Sequence, residues 1–308
     1  MSAAGSGAVD PAEGPSPSGG GGARPPSWYR QDPLGGPPVM VVGDRQHRPL
    51  LPPSGCPFCP GGLEAPAPYR VRWFANRWPA MPDERCEVVL YSPDHRASLA
   101  TLGPAGCAGV VQLWAERTVA LGSRPDVAYV LVFENRGPAV GATIDHPHGQ
   151  IYAYPSVPPV PARELDASAC ALCRPPGGEL TVFSAGGWRA WAQPAPTWPY
   201  ELLIAPADHL PDLPAAASTG ADLGAVLSSV VARLDGLFGE AMPYMLWVHQ
   251  RPTDGGRWPT AHVHVHVAPF LRAPGVPRYV AAAELGGGVM FNPVDPATAA
   301  ARLREAAT

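Results

Sequence analysis

Apolar and polar positions along the chain fall into two successive blocks with the same order of elements. In the first block, residues 70–79 (RVRWFANRWP) and 87–95 (EVVLYSPDH) read as strands. Cys107, Val110, Val111, Trp114, Thr118 and Leu121 then recur at helical spacing and predict a helix. Residues 128–135 (AYVLVFEN) predict the next strand, and the cluster His146-Pro-His148-Gly-Gln150 follows it. In the second block the strands are residues 179–184 (ELTVFS), 188–194 (WRAWAQP) and 200–209 (YELLIAPADH). The helix is sharper here, with Leu223, Val226, Leu227, Val230, Val231, Leu234, Leu237 and Phe238 on one face. A strand at 244–250 (YMLWVHQ) leads to His262-Val-His264-Val-His266. Each block opens on a CxxC pair, Cys56/Cys59 and Cys170/Cys173.

The spacings agree as well as the order. Cys59 and His95 are 36 residues apart, as are Cys173 and His209, while His95 to His146 is 51 residues and His209 to His262 is 53. Three landmarks matching in order and distance point to an internal duplication of one α+β unit, an antiparallel sheet carrying a long helix. The two units are expected at residues 28–160 and 161–308. Residues 1–27 are mostly Gly, Pro, Ser and Ala and cannot bury enough apolar surface to order themselves, so a disordered tail is expected there.

Composition narrows the function. A net charge of -4 in 308 residues argues against broad nucleic-acid binding, which needs a basic surface. No apolar run approaches the roughly 20 residues of a membrane helix, and the N-terminus lacks a secretory pattern, so a cytoplasmic protein is expected. In that setting CxxC pairs indicate metal or redox chemistry rather than a disulfide framework. Cys86 and Cys107 read as small buried hydrophobes. There is no lysine, so neither a nucleophile nor a phosphate clamp of that type is available.

Of the nine histidines, all but His47 lie at strand ends or within these motifs. Cys56, Cys59, His95 and His146 form a Cys₂His₂ set suited to tetrahedral zinc, and four protein ligands leave no open position, so the metal is expected to be structural. His148 follows His146 by two residues, and on an extended segment both face the same way. An imidazole with an ordinary pKa of about 6.5 is available as a nucleophile near neutral pH. It can attack phosphorus to give a phosphoramidate that a second acceptor resolves. Gln150 lies on the same side and offers an amide donor to a phosphoryl oxygen. The loop with Asn135-Arg-Gly137 and Gly141-Ala-Thr143 adds backbone donors, an amide and a hydroxyl.

At HPHGQIYAYP the chain resembles the galactose-1-phosphate uridylyltransferase family, a branch of the histidine-triad superfamily. The resemblance runs from about residue 28 to about 305 and includes DPLGG near Pro33, DRQHRP at Asp44–Pro49, CPFC, FANRWPA around Asn76, YSPDH, FENRGPAVGAT before HPHGQ, PYELLIAPADH and HVHVHVAPFLR. It implies a pair of histidine-triad-like halves, a homodimer, UDP-glucose and galactose 1-phosphate as substrates, and His148 as the uridylylated residue with Gln150 on the transferred phosphoryl group. It also implies nucleotide or phosphate contacts at Arg45, Arg48, Asn76, Asn135 and Thr143. Arg278, Tyr279 and Glu284 are implied at the sugar phosphate, often across a dimer interface. The chain departs from the family pattern at Thr143, usually serine, at Ile144-Asp145, usually Asn-Pro, and at Arg278, where lysine is common.

The second half admits two ligand groups. Internal symmetry gives Cys170, Cys173, His209 and His262 for a second zinc, and thiolates favour this set. The resemblance alternatively implies Glu164, His249, His262 and His264. HVHVH is also a complete histidine triad. Three functions compete: a uridylyltransferase with ping-pong kinetics, an adenine-nucleotide phosphorylase or adenylyltransferase of the same superfamily using an ADP-sugar or Ap4A-type donor, and a zinc-stabilised binding module without catalysis.

Overall fold

The protein is described by a computed structural model covering residues 29–42 and 55–306. The expected N-terminal tail, His47 and the two candidate phosphate contacts Arg45 and Arg48 lie outside these residues. The chain forms β1 (Tyr29–Arg30), β2 (Val39–Met40), β3 (Arg72–Ala75), β4 (Cys86–Leu90), α1 (Leu99–Gly122), β5 (Tyr129–Arg136), β6 (His148–Tyr154) and α2 (Pro159–Leu165). It continues with β7 (Thr181–Ala185), β8 (Trp188–Ala192), β9 (Leu202–Pro206), α3 (Gly220–Phe238), β10 (Tyr244–His249), β11 (His264–Pro269), β12 (Leu271–Ala273), β13 (Val276–Pro277), α4 (Ala282–Gly287) and α5 (Pro296–Glu305).

The expected α+β arrangement is present. Nine strands form one antiparallel sheet in the order β3-β4-β6-β5-β10-β11-β9-β8-β7. The join is β5 against β10, from Tyr244 opposite Arg136 to Val248 opposite Val132. On either side of it β6 and β11 carry the histidine motifs next to the central pair, with two strands (β4, β3) beyond β6 and three (β9, β8, β7) beyond β11. Apart from β5, the strands are shorter than their apolar runs suggest. The segment expected at 70–79 is paired only over β3, and proline and turn residues end the others.

Both helices cover one face of this sheet and pack on each other. Every apolar position expected in α1 is buried, and the stripe Leu223, Val226, Leu227, Val230, Val231 and Leu234 of α3 is buried against it, with Leu237 and Phe238 at its margin. Burial of such side chains contributes about 1.5–3 kcal/mol each. Gly224 allows the close approach, since a Cβ there would lie 2.6 Å from the Ala108 amide nitrogen. Ser98 caps α1 reciprocally with Thr101. One feature was not visible in the periodicity: α1 is kinked at Gly103, with φ of 65°, immediately before Pro104. No helix of the described residues is long and apolar enough to cross a membrane.

Candidate active site and metal clusters

Among the described residues, three groups of side chains bring potential metal ligands within 4.8 Å of one another. The first is Cys56, Cys59, His95 and His146. Cys59 Sγ lies 3.6 Å from Nδ1 of both His95 and His146. Zinc–sulfur and zinc–nitrogen bonds of normal length place tetrahedral ligands about 3.3–3.8 Å apart, so this spacing fits. The far nitrogen of His146, Nε2, donates to the Ser92 carbonyl at 2.7 Å, which turns the Nδ1 lone pair toward the thiols. Tyr69, which sequence reasoning missed, sits over the same nitrogen at 2.8 Å, and its single hydroxyl proton is shared between the Phe58 and Ser92 carbonyls at 2.7 and 2.8 Å. Burial holds the His146 imidazole below its ordinary pKa and keeps it neutral, the form that binds a metal.

The second group is Cys170, Cys173, His209 and His262. Cys170 Sγ is 3.3 Å from His262 Nδ1, and Cys173 Sγ is 3.0 Å from His209 Nδ1. His262 Nε2 donates to the Pro206 carbonyl at 3.0 Å, repeating the arrangement at His146. Cys173 and His209 are exposed, unlike any ligand of the first group. The six cysteines, all within the described residues, form no disulfide.

The third group is Glu164, His249, His264 and His266. Here the sequence reading needs correction. His262, assigned to both alternatives, belongs with the cysteines, and His266 takes its place beside Glu164. Strand β11 begins at His264, so His262 turns back to the Pro206 side while His264 and His266 project from the strand. His249 Nδ1 lies 2.8 Å from Glu164 Oε2, with His264 Nε2 at 3.4 Å and His266 Nε2 4.0 Å from Oε1. Burial would raise the Glu164 carboxyl, but bonds from His249 and His264 draw it well below the usual range. Both His266 nitrogens are buried without a hydrogen-bond partner, as suits a ligand to a divalent ion. The two candidate groups therefore coexist without sharing a residue.

His148 opens β6 with its ring against Phe58, whose ring also abuts His146. Its Nδ1 lies 2.8 Å from the His146 carbonyl. A carbonyl only accepts, so the proton sits on Nδ1 and the lone pair on Nε2. Gln150 is two residues along the strand, and its Oε1 accepts from Asn76 Nδ2 at 3.1 Å. Asn76 is itself fixed by accepting from the Trp78 amide at 2.9 Å. The Gln150 amide NH₂ is thereby the end left for a ligand. Asn135 donates to the Val140 carbonyl at 2.8 Å and shapes the turn leading to Thr143, a half-buried hydroxyl five residues before His148.

A cavity of about 550 Å³ adjoins His148, with Arg96, Asn135, Arg136, Gly137 and Asp145 among its lining residues. Arg136 is held in a bidentate pair with Asp235 at 2.7 and 3.0 Å. Arg278, Tyr279 and Glu284 are not part of this lining. Arg278 and Glu284 form a buried ion pair, and Glu284 also accepts from the Ala281 and Phe291 amides. Tyr279 stands 77% exposed beside them.

Comparison with known proteins fits this geometry. Residues 76–158 match the family model of the galactose-1-phosphate uridyl transferase N-terminal domain, and residues 180–307 match that of the C-terminal domain. A galactose-1-phosphate uridylyltransferase from Thermotoga maritima is 32% identical, over 90% of this chain and 97% of that protein. One from Streptomyces lividans is 34% identical, over 91% and 87%. A solved uridylyltransferase structure superposes with a TM-score of 0.82 at 28% identity, covering 90% of this chain and 97% of the other. ADP-glucose phosphorylase from Arabidopsis thaliana, solved with bound ADP-glucose, gives a TM-score of 0.74 at 26% identity over 90% and 97%. The chain belongs to the galactose-1-phosphate uridylyltransferase family.

Proposed function

We propose that this chain transfers a uridylyl group from UDP-glucose to galactose 1-phosphate, with His148 as the covalent carrier. The observation that carries this reading is the His148 ring itself, its Nδ1 proton held by the His146 carbonyl at 2.8 Å so that the lone pair is on Nε2. In the first step Nε2 attacks the α-phosphorus of UDP-glucose. An N–P bond forms, the P–O bond to the sugar phosphate breaks, and glucose 1-phosphate leaves with the electron pair. In the second step a phosphate oxygen of galactose 1-phosphate attacks the same phosphorus, the N–P bond breaks, and UDP-galactose leaves with His148 restored. Neither step requires a net proton transfer.

Gln150 donates its amide to a phosphoryl oxygen in both steps, and Asn76 keeps that amide the right way round. Being neutral, Gln150 supplies no acid to hydrolyse the intermediate. Asn135, Thr143, Arg45 and Arg48 serve the nucleotide and its phosphates. Cys56, Cys59, His95 and His146 would hold a zinc ion, whose bonds tie the CxxC turn, the end of β4 and the start of β6 together. The second cysteine group would hold another, and the Glu164 group a further divalent ion.

A homodimer is supported by an exposed apolar surface on the C-terminal segment, where Tyr279 and Leu285 are both 77% exposed and Phe291 is 63% exposed. That arrangement would present Tyr279 to the other subunit, with the buried Arg278–Glu284 pair holding the segment behind it. Unpaired cysteines suit the cytoplasm. An adenine donor is the second reading, favoured by the similarity to ADP-glucose phosphorylase.

Isotope exchange tests the proposal. With UDP-glucose present and galactose 1-phosphate withheld, labelled glucose 1-phosphate should enter UDP-glucose. Exchange that appears only when galactose 1-phosphate is added contradicts the two-step route, and exchange only with ADP-glucose supports the second reading.

A further inference from the structure

The strand that carries His148 and Gln150 rests on a buried group that the proposed chemistry does not use. Tyr91 follows the end of β4 and brackets His148 from both sides. Its amide donates to the Pro147 carbonyl at 3.1 Å, one residue before His148. Its hydroxyl lies under Gly149, one residue after, so closely that a Cβ there would be 2.1 Å from Oη and 3.0 Å from Cζ. A Cβ would also be 3.0 Å from the Phe133 carbonyl. Only glycine fits between the phenol and the β5 backbone, which gives the glycine of HPHGQ a physical reason in this chain.

Tyr91 is buried and cannot withdraw. Trp114 of α1 packs edge-on at 5.9 Å between ring centres. Glu134 lies behind the phenol, and Tyr244 of β10 donates to Glu134 Oε1 at 2.9 Å. The other Glu134 oxygen and the Tyr91 hydroxyl are both buried without a hydrogen-bond partner, and burial, with the Glu134 carboxyl beside it, holds the phenol protonated well above its ordinary pKa. Arg136, two residues along β5, lies over the Tyr244 ring at 5.6 Å and is neutralised by Asp235. The carboxyl is thus surrounded by Tyr91, Tyr244, Arg136 and, from α1, Cys107.

We propose that Tyr91 and Glu134 are positioning residues for uridylyl transfer, a phenol–carboxyl pair beneath Gly149 that sets how far His148 and Gln150 stand out from the sheet. Neither touches a nucleotide. They act through the backbone of residues 147–149, where a displacement of about 1 Å costs as much as 100-fold in rate. This inference rests on the uridylyl-transfer reading.

Single-turnover uridylylation of His148 by UDP-glucose, measured with zinc content and UDP-glucose affinity, tests it. Gly149→Ala should slow the step by about 10- to 100-fold while affinity changes by less than about threefold. Adding Tyr91→Phe, which removes the atom at 2.1 Å, should recover part of that rate. Glu134→Leu should also slow the step, and Glu134→Gln, which keeps the shape and one acceptor, should restore most of it. The proposal is overturned if Gly149→Ala reacts at the wild-type rate, if Tyr91→Phe recovers nothing, or if the losses fall on affinity alone. Should Gly149→Ala fail to fold, the Glu134 pair decides: equal rates for Leu and Gln overturn it. A wild-type chain that takes no label defeats the transfer reading itself, a result distinct from a labelled wild type with unaffected variants.

Discussion

Strands β6 and β11 present the same local chemistry in opposite surroundings. His148 Nδ1 faces the carbonyl of His146 at 2.8 Å, and His264 Nδ1 faces the carbonyl of His262 at 2.8 Å. In each half the preceding histidine turns Nε2 to a backbone carbonyl and Nδ1 to a CxxC pair. The halves diverge at the third histidine-triad position and at what faces it. Gln150 is oriented by Asn76, whereas His266 lies with His249 and His264 around the Glu164 carboxylate. On the proposed reading, one carboxylate and one exchanged side chain distinguish a place for a nucleophile from a place for a cation. The two halves share a local frame, and on the proposed reading the neighbours across the sheet set what each can do.

The comparison is broken most directly at the two matched histidines. His148→Asn should lower turnover by on the order of 10⁴-fold with fold and metal content intact. His264→Asn should leave covalent labelling of His148 intact and lower the affinity of the third cluster for divalent ions. Equal losses in both variants, measured by single-turnover labelling, would mean that the halves share the chemistry.

The cysteine groups give the next contrast. Cys56→Ser should remove one equivalent of zinc and lower Tm by roughly 10 °C, because metal binding is coupled to folding. Cys170→Ser should remove a different equivalent with a smaller fall, since Cys173 and His209 are exposed and less of the core depends on them. Elemental analysis and thermal unfolding of both variants check this.

A smaller effect concerns pH. Burial raises Glu134 from 4.5 to about 7, against the pull of Tyr244 and Arg136. The folded state then holds a proton that the unfolded state releases, so this contribution is fully present below about pH 4.5 and lost as pH rises through about 7. Its size is roughly 3 kcal/mol. Glu134→Gln should flatten that decline in denaturant titrations across this window, and an unchanged slope would place the titration elsewhere. The smallest effect is at Asn76. Asn76→Ala should lower kcat by about tenfold, the value of one hydrogen bond, with little change in KM, since only the orientation of Gln150 is lost.

Much of this was legible in the chain. The apolar stripes of α1 and α3 gave the helices because burial follows the helical period, and the equal Cys-to-His spacings paired the halves before any contact was known. The join of the sheet was not legible. Pairing of β5 with β10 is a non-local contact, and local periodicity carries no record of it. The assignment of His262 against His266 failed for a related reason: alternate residues of HVHVH look equivalent until the start of β11 is fixed at His264. The kink at Gly103 is written in Gly-Pro, but it lies before the stripe, which starts at Cys107 and carries no trace of it. Tyr91, Glu134 and Tyr69 act through partners far away in sequence, so nothing near them announces their roles. Arg278 and Glu284 read as substrate contacts by resemblance, and within one chain they are joined to each other.

The central claim is that covalent chemistry belongs to His148 and not to its counterpart in the second half. Incubation with UDP-glucose labelled in the uridylyl phosphate, followed by quenching under alkaline conditions and peptide mapping, tests it directly. The account predicts one acid-labile label per chain on the peptide containing His148, with glucose 1-phosphate released in equal amount. Label on the His264 peptide, or none on His148 in protein with its metals bound, would contradict it.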